Sequence, residues 1–299
     1  MRIKKLDNNN ENEIGRLGSF IAKVFSRNND LVERMNSSIS AKFHKEIYSV
    51  QNDEEIIVVA STHKSSWHPY CIYVQFAFDL IRVDEQALLS MITKLQDKYD
   101  EPIFILLDDR FYRLTKLLSQ KAFRMIRKTE IIHIEPVSKG EIVQDDRILT
   151  VNEIWNDDIR MNSLVELCKK TYTETHLDNP VANLPMDSWR DATTDGLMKE
   201  HSYVIVEGQE VIGFSLMYEA EQKSWELGWV GVADLTILTD LDKLIHRQIE
   251  DAVKNGIAFI EKEVDSTCPY SQHICKKLRF EVPETLYAYS NSSGRCDKK

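Results

Sequence analysis

The stretch that decides the fold is GWVGVADLTILTDLDKLIHRQIEDAVKNGI, from Gly228 to Ile257. Its first residues include several β-branched and aromatic side chains, which predicts a strand. From Leu241 onward, apolar residues recur at the spacing of a helix that buries one face. A helix that directly follows a strand can hold a phosphate with its first N–H groups, usually beside glycines. No glycine lies between Gly231 and Gly256, so the stretch predicts the frame of a phosphate-binding turn without its usual chemistry.

The same layout occurs twice in the chain, at an ungapped offset of 157 positions. CIYVQFAF (71–78) aligns with GWVGVADL (228–235), and VDEQALLSMITKLQDKY (83–99) aligns with DLDKLIHRQIEDAVKNG (240–256). Ungapped agreement over several elements favours two copies of one fold. The alternative is two unrelated domains that both alternate strands and helices.

The repeat predicts two domains, at 1–136 and 148–290. The segment between them, 137–147, is polar and contains Gly140, as is typical of a linker. The last residues, 291–299, have the composition of a disordered tail.

Composition and charge limit the classes of partner. The chain has 299 residues, of which 42% are hydrophobic and 29% charged, and a formal net charge of -10. This charge disfavours binding to nucleic acid or to an anionic membrane. No apolar run approaches the ~20 residues of a spanning helix, and the first residues lack the pattern of a signal peptide. The five scattered cysteines favour a reducing, cytoplasmic environment; the sequence predicts no oligomeric state.

The second copy resembles the GCN5-related N-acetyltransferases (GNAT superfamily). The resemblance rests on ELGWVGV (226–232) and on the stretch AVKNGIAFIEKEVDSTCPYSQHICKKLRF (252–280), although Arg279 stands where that family usually has glycine. TYTETHLDNPVANLPMDSW (171–189) is similar to the substrate-side helices and loop of tandem bacterial members. The resemblance implies an α/β (α+β) protein with two tandem GNAT-like domains, each a mixed, mostly antiparallel sheet flanked by helices. It also implies acetyl transfer from acetyl-CoA to a small amine.

The resemblance further implies a set of cofactor-binding positions. Main-chain groups of a strand hold the pantetheine arm, a turn holds the pyrophosphate, and one position of the last helix often carries an acid tyrosine. In this sequence these positions are Val230, Gly231 and Val232, then Leu238, Thr239 and Asp240, then Cys275.

The pyrophosphate turn departs from the family pattern. That pattern, Gln/Arg-x-x-Gly-x-Gly/Ala, falls on Leu235, Leu238 and Asp240, and none of its residues is retained. TDLD (239–242) instead predicts Thr239 as the N-cap of the helix, with Asp240 and Asp242 already complementing the helix dipole. In the first copy the corresponding positions also lack glycine, and an ordinary capped helix is expected there.

Acyl transfer to an amine requires a base for the ammonium and is helped by an acid for the departing thiolate. Glu226 is the candidate base, and Glu219 is a second choice; Tyr270 is the candidate acid. The resemblance places His176 and Asn179 on the substrate side. A solvated carboxylate, a packed tyrosine and a surface turn are the corresponding alternatives.

Two functions stay open at this point. The first is an acyl-CoA-dependent N-acyltransferase in which only the C-terminal copy is active. The second is an inactive GNAT-fold pseudoenzyme that binds a ligand or a protein. No metal site is expected, since Cys268, His273 and Cys275 fall short of the four ligands of a closed zinc site.

Overall fold

The computed structural model describes residues 2–7, 10–25, 29–53, 55–79, 81–138, 140–141, 144–220 and 223–292. It divides the chain into two compact units. The first unit comprises Met1–Ile126, Asp178–Ala182 and Tyr287–Lys299, and the second comprises Arg127–Leu177 and Asn183–Leu286. The predicted linker, 137–147, is described except at 139, 142 and 143. The predicted tail lies outside the described residues from position 293 onward.

The first unit is a sheet with helices packed against it. Its elements are β1 (Arg2–Lys5), α1 (Glu11–Val24), α2 (Asn29–Ser40), β2 (His44–Asn52), β3 (Glu55–His63), β4 (Ile72–Phe78), α3 (Glu85–Lys98), β5 (Ile103–Asp108) and α4 (Tyr112–Gln120). The strand order is β1-β2-β3-β4-β5, and only the β4–β5 pair is parallel. The predicted apolar stripe of α3 is buried in its core.

The second unit repeats this plan. Its elements are β6 (Arg124–Ile134, which enters this unit at Arg127), β7 (Ile148–Thr150), α5 (Val151–Ile154), α6 (Asp158–Thr175), α7 (Met186–Thr194), β8 (Tyr203–Glu207), β9 (Glu210–Glu219), β10 (Ser224–Val232), α8 (Leu241–Lys254), β11 (Phe259–Asp265), α9 (Pro269–Cys275) and β12 (Phe280–Ser290, to Leu286 in this unit). From β6 onward the strand order is β6-β11-β10-β9-β8-β7; of these five pairs β10–β11 is parallel and the others are antiparallel.

The predicted repeat is visible in the bounds of the elements. Moving α3 by 157 positions gives 242–255, against Leu241–Lys254 for α8. Moving β5 gives 260–265, against Phe259–Asp265 for β11. Of the stretch 228–235, which aligns with 71–78, only the residues up to Val232 form a strand, because β10 ends there. Asp234 accepts a hydrogen bond from the Thr236 N–H at 2.8 Å and starts a 3₁₀ helix there, which takes the chain out of the sheet.

The described residues contain no helix that is both long and apolar enough to cross a membrane.

Candidate active site

The candidate site is a cleft between β10 and β11. The two strands are paired only over three positions, from Ser224↔Phe259 to Glu226↔Glu261. On its other edge β10 stays paired with β9, with a register shift between Leu227 and Val230. Beyond Glu226 the parallel strands therefore separate, and a cavity of about 260 Å³ opens beside them. Residues 226–230 of β10 line this cavity, which we call the strand cleft.

Helices α6 and α9 provide the other walls of the strand cleft. Helix α6 begins directly after its N-cap, Asp157. The Asp157 side chain accepts hydrogen bonds from two N–H groups in the first turn of the helix. The helix lies very close to β10 because Gly231 has no side chain: a Cβ there would be 2.7 Å from Cγ2 of Thr171. Helix α9 has Pro269 in its first turn, a position that needs no N–H, and directs Tyr270 to the cleft.

The point where the strands separate is held by side chains. Lys262 of β11 is 6% exposed, and its Nζ donates to the main-chain oxygen of Gly228 at 2.6 Å. Gly228 is required there, since a Cβ would lie 2.5 Å from the Tyr218 ring. The Tyr218 hydroxyl in turn donates to the Thr193 carbonyl at 2.9 Å. The strand edge of the cleft is therefore held by packed side chains.

Two carboxylates that line the strand cleft have raised pKa values. Burial raises the pKa of Glu226, and the neighbouring Glu261 adds to this. Burial also raises the pKa of Glu263, and Asp265 adds to that shift. Both side chains are exposed to solvent at the cavity surface; the pKa shifts arise because protein atoms surround them on the remaining sides.

The cleft also contains a buried tyrosine that keeps its proton. Tyr270 is 4% exposed, and burial, with the Glu174 carboxylate as a further cause, raises its pKa to about 12. At neutral pH its hydroxyl is therefore a hydrogen-bond donor. Tyr172 on α6 stacks on His176, with 4.0 Å between the ring centroids, and on Trp229, with 5.2 Å.

Four of the residues predicted from the sequence meet in the strand cleft. They are Glu226, Val230, Tyr270 and His176. Glu219, the second candidate base, ends β9 opposite Trp225 and is not among the residues that line the cleft.

The sequence reasoning missed three charged residues of β11 that line the same cavity: Lys262, Glu263 and Asp265. The signal was present as the run EKEVD (261–265), because such a concentration of charge is unusual in a strand at the centre of a sheet.

The remaining predicted residues lie elsewhere. Gly231 and Val232 continue β10, paired with Phe214 and Gly213 of β9. Cys275 ends α9 and is not among the lining residues; burial raises its pKa to about 11.

Asn179 belongs to the first unit. There its side chain donates to the Tyr73 hydroxyl at 2.7 Å and accepts from Cys71 Sγ at 3.3 Å. It is 8% exposed, so these contacts bury its amide.

The turn before α8 corrects the predicted helix start. Thr239 is not an N-cap: the residues Leu235–Asp240 form a 3₁₀ helix, and α8 follows at Leu241 without a side-chain cap. The N–H of Leu241 donates to the carbonyls of Leu238 and Thr239. No side-chain cap is needed because the 3₁₀ helix leads directly into α8. Carbonyl groups of the 3₁₀ helix accept the hydrogen bond from the first N–H of α8.

The acidic residues of this turn have cationic partners. Asp240 lies 2.9 Å from Lys243 and 3.6 Å from Arg147. Asp242 lies 3.0 Å from His273 and also pairs with Lys277. With no glycine, a satisfied first N–H and two carboxylates, this turn does not match the cradle that a pyrophosphate requires.

A second cavity adjoins the strand cleft. It has a volume of about 460 Å³ and shares Thr175 and Tyr270 with the cleft. Its wall includes Ala233, whose carbonyl accepts from Lys170 Nζ at 2.8 Å. The two cavities together extend from β10 toward the start of the 3₁₀ helix. Within the described residues, no group of three or more His, Cys, Asp or Glu side chains is arranged to hold a metal ion.

No protein-family model matches the sequence, and neither does any curated protein. Solved structures do match over most of the length. A GCN5-related N-acetyltransferase from Sphaerobacter thermophilus matches with a TM-score of 0.60 and 14% identity, over 92% of this chain and 91% of its own. A tandem GNAT protein from the clavulanic acid biosynthesis pathway matches with a TM-score of 0.58 and 10% identity, over 99% of both chains.

A GNAT-family acetyltransferase from Colwellia psychrerythraea matches with a TM-score of 0.54 and 8% identity, over 97% of this chain and 99% of its own. At these identities the likeness concerns the fold, and the match to a tandem protein agrees with the repeated units. The chain therefore has the fold of the GCN5-related N-acetyltransferases, in tandem form.

Proposed function

We propose that the protein is an acyl-CoA-dependent N-acyltransferase that acetylates a small amine in the strand cleft of the second unit. The observation that carries the proposal is the separation of β10 from β11 directly after Glu226, with Tyr270 on the opposite wall of the same cavity. A base candidate and a proton donor thus share one small pocket. The likeness in fold to acetyltransferases supports acyl transfer as the general chemistry.

The proposed roles follow from the two pKa shifts. Glu226 accepts a proton from the ammonium of the acceptor, and its raised pKa makes it a stronger base than an ordinary carboxylate. The amine nitrogen then forms a bond to the thioester carbonyl carbon, and the carbon–sulfur bond breaks. Tyr270, protonated at neutral pH, donates to the leaving sulfur and recovers a proton from the nitrogen. The net change converts an ammonium and a thioester into an amide, a thiol and one released proton.

We infer that this unit has groups to bind only one end of acetyl-CoA, the acyl and pantetheine end. Beyond Glu226, β10 is no longer paired with β11, so the edge that includes Val230–Val232 has main-chain groups available for a pantetheine arm. Leu238, Thr239 and Asp240, at the nucleotide end, offer no glycine cradle. We therefore assign donor binding to the acyl and pantetheine end.

The first unit is assigned a structural role. Its corresponding helix, α3, is capped by Asp84, which accepts from the Ala87 N–H at 2.6 Å. Upstream, Asp79 accepts from the N–H groups of Ile81 and Arg82. These side chains occupy the donors that an anion would use.

The test is amide formation. Acetyl-CoA and a panel of small primary amines are incubated with the full chain, and N-acetyl products are identified by mass spectrometry. Tyr270→Phe is expected to slow product formation by roughly a hundredfold, whereas Tyr112→Phe, an exposed tyrosine of α4, leaves it unchanged. Equal rates for both variants, or no product from any amine, would contradict the proposal.

The turn before α8 favours a second candidate, a GNAT-fold module that binds without catalysis. The observation is the satisfied Leu241 N–H together with the carboxylate of Asp240. Calorimetric titration with acetyl-CoA distinguishes the two. Micromolar binding by the wild type supports the enzyme. Binding that appears only after Leu238→Gly with Asp240→Gly supports the module.

A further inference from the structure

The charges around the strand cleft point to the class of acceptor, an inference that rests on the proposed function. The described lining residues include three carboxylates, Glu226, Glu263 and Asp265, and two fixed cations, Arg127 and Lys262. Their formal charges sum to −1. The cavity therefore carries an excess of negative charge before any ligand enters.

The two cations are already engaged. Arg127 Nε lies 3.4 Å from Oδ1 of Asp265, which compensates that carboxylate. Lys262 Nζ donates to the Gly228 carbonyl. Within the described chain, neither Glu226 nor Glu263 has an ion-pair partner within 4.0 Å. These two carboxylates are the groups that a ligand can neutralise.

We propose that the strand cleft selects a small amine that enters as a monocation and carries no carboxylate. Its ammonium is held by Glu226 and Glu263, and its body packs against Trp229 and the apolar residues of β10. A second positive charge on the ligand would exceed the net charge of −1 in the cavity. A carboxylate on the ligand would be repelled by Glu226 and Glu263. The volume of about 260 Å³ restricts the acceptor to a small molecule.

The product of acylation is a neutral amide, so the reaction removes the charge that the two carboxylates recognise. The cleft therefore binds the acceptor more tightly than its product, which favours release of the product.

Several charged groups face Glu226 and Glu263. They are Lys262, Glu261, Asp265 and Arg127.

Protonation of Glu226 and Glu263 weakens this recognition, because it removes the negative charges. Affinity for the cation is thus expected to fall as the pH drops through the raised pKa values of the two carboxyls.

The test is a binding measurement without any acyl donor, so that it does not depend on turnover. The full chain is titrated in a calorimeter with three probes of similar size: phenethylamine, 2-phenylethanol and 3-phenylpropionate. We expect the amine to bind at least about tenfold more tightly than the alcohol, and the carboxylate not to bind.

Variants complete the test. Glu263→Gln is expected to weaken amine binding by about tenfold, while Glu210→Gln, an exposed carboxylate at the start of β9, leaves it unchanged. Glu226→Gln is the second variant, and it is expected to weaken amine binding in the same way. The inference is overturned if the alcohol binds as tightly as the amine, if the amine does not bind at about 10 mM, or if the glutamine variants bind it normally. Amine binding without acyl transfer would overturn the proposed function and leave cation recognition standing.

Discussion

Lys262 Nζ donates a hydrogen bond to the main-chain oxygen of Gly228, 2.6 Å away, at the point where β10 and β11 separate. The lysine is 6% exposed, so the donor of this bond is largely removed from bulk water. Replacement of Lys262 by methionine keeps an apolar stem and leaves the carbonyl without its donor. We expect the second unit to lose about 2 kcal/mol of unfolding free energy, measured by urea denaturation. Lys254→Met, at the exposed end of α8, is the matched control; equal stability of the two variants would contradict this role.

Gly228 is expected to tolerate no side chain. A Cβ at this position would lie 2.5 Å from Cε2 of Tyr218, whose hydroxyl is fixed by the Thr193 carbonyl. Gly228→Ala should therefore cost about 1–3 kcal/mol of unfolding free energy. Gly15→Ala in α1 is the control, since a Cβ added there meets nothing within 4 Å beyond its chain neighbours and its own helix backbone, and alanine favours a helix. A stable Gly228→Ala variant in a melting experiment would show that the Tyr218 ring can move.

Stability should depend on pH through Glu263. Its pKa is raised in the folded protein above the ordinary value of 4.5, so the folded state binds the proton more tightly than the unfolded state. The contribution of Glu263 to the free energy of unfolding is fully present below the pKa that this carboxyl has in the unfolded chain. It is lost as the pH rises through the pKa that the carboxyl has in the folded protein. Glu263→Gln should thus melt at a higher temperature than the wild type at about pH 7, and the difference should shrink toward pH 4. A constant difference across this range would exclude the titration of Glu263 as its cause.

The turn before α8 predicts an unusual donor preference. Because Leu238–Asp240 offer no phosphate cradle, the nucleotide of acetyl-CoA should add little to donor binding. Acetylpantetheine, which lacks the nucleotide, should be used with a kcat/KM within about tenfold of that for acetyl-CoA. Steady-state kinetics with both donors measures this. A preference for acetyl-CoA of about a thousandfold or more would mean that other groups hold the pyrophosphate.

Much of the fold could be predicted from the sequence because periodicity is a local signal. The stripe of α3 and the offset of 157 positions both reappear in the element bounds. The 3₁₀ helix before α8 could not be predicted, because Asp234 and Thr239 are both acceptable cap residues in sequence. Only the path of the chain after Val232 selects Asp234.

The candidate site was predictable only in part. Glu226 and Tyr270 were found through the resemblance, and both line the strand cleft. Lys262 and Glu263 were missed because their importance depends on the gap between β10 and β11, a feature of pairing and not of composition. Asn179 was assigned to the substrate side, but its amide is held by Tyr73 and Cys71 of the first unit, and this contact over a long sequence separation leaves no local signal.

The most direct test of the central claim is the rate of acetyl transfer by Glu226→Gln. The assay follows thiol release from acetyl-CoA in the presence of phenethylamine, for the wild type, Glu226→Gln and the control Glu210→Gln. If Glu226 is the base of the strand cleft, its variant loses at least about a hundredfold in kcat, and the control keeps the wild-type rate. A Glu226→Gln variant within about twofold of the wild type would contradict the claim that the strand cleft of the second unit carries out the reaction through Glu226.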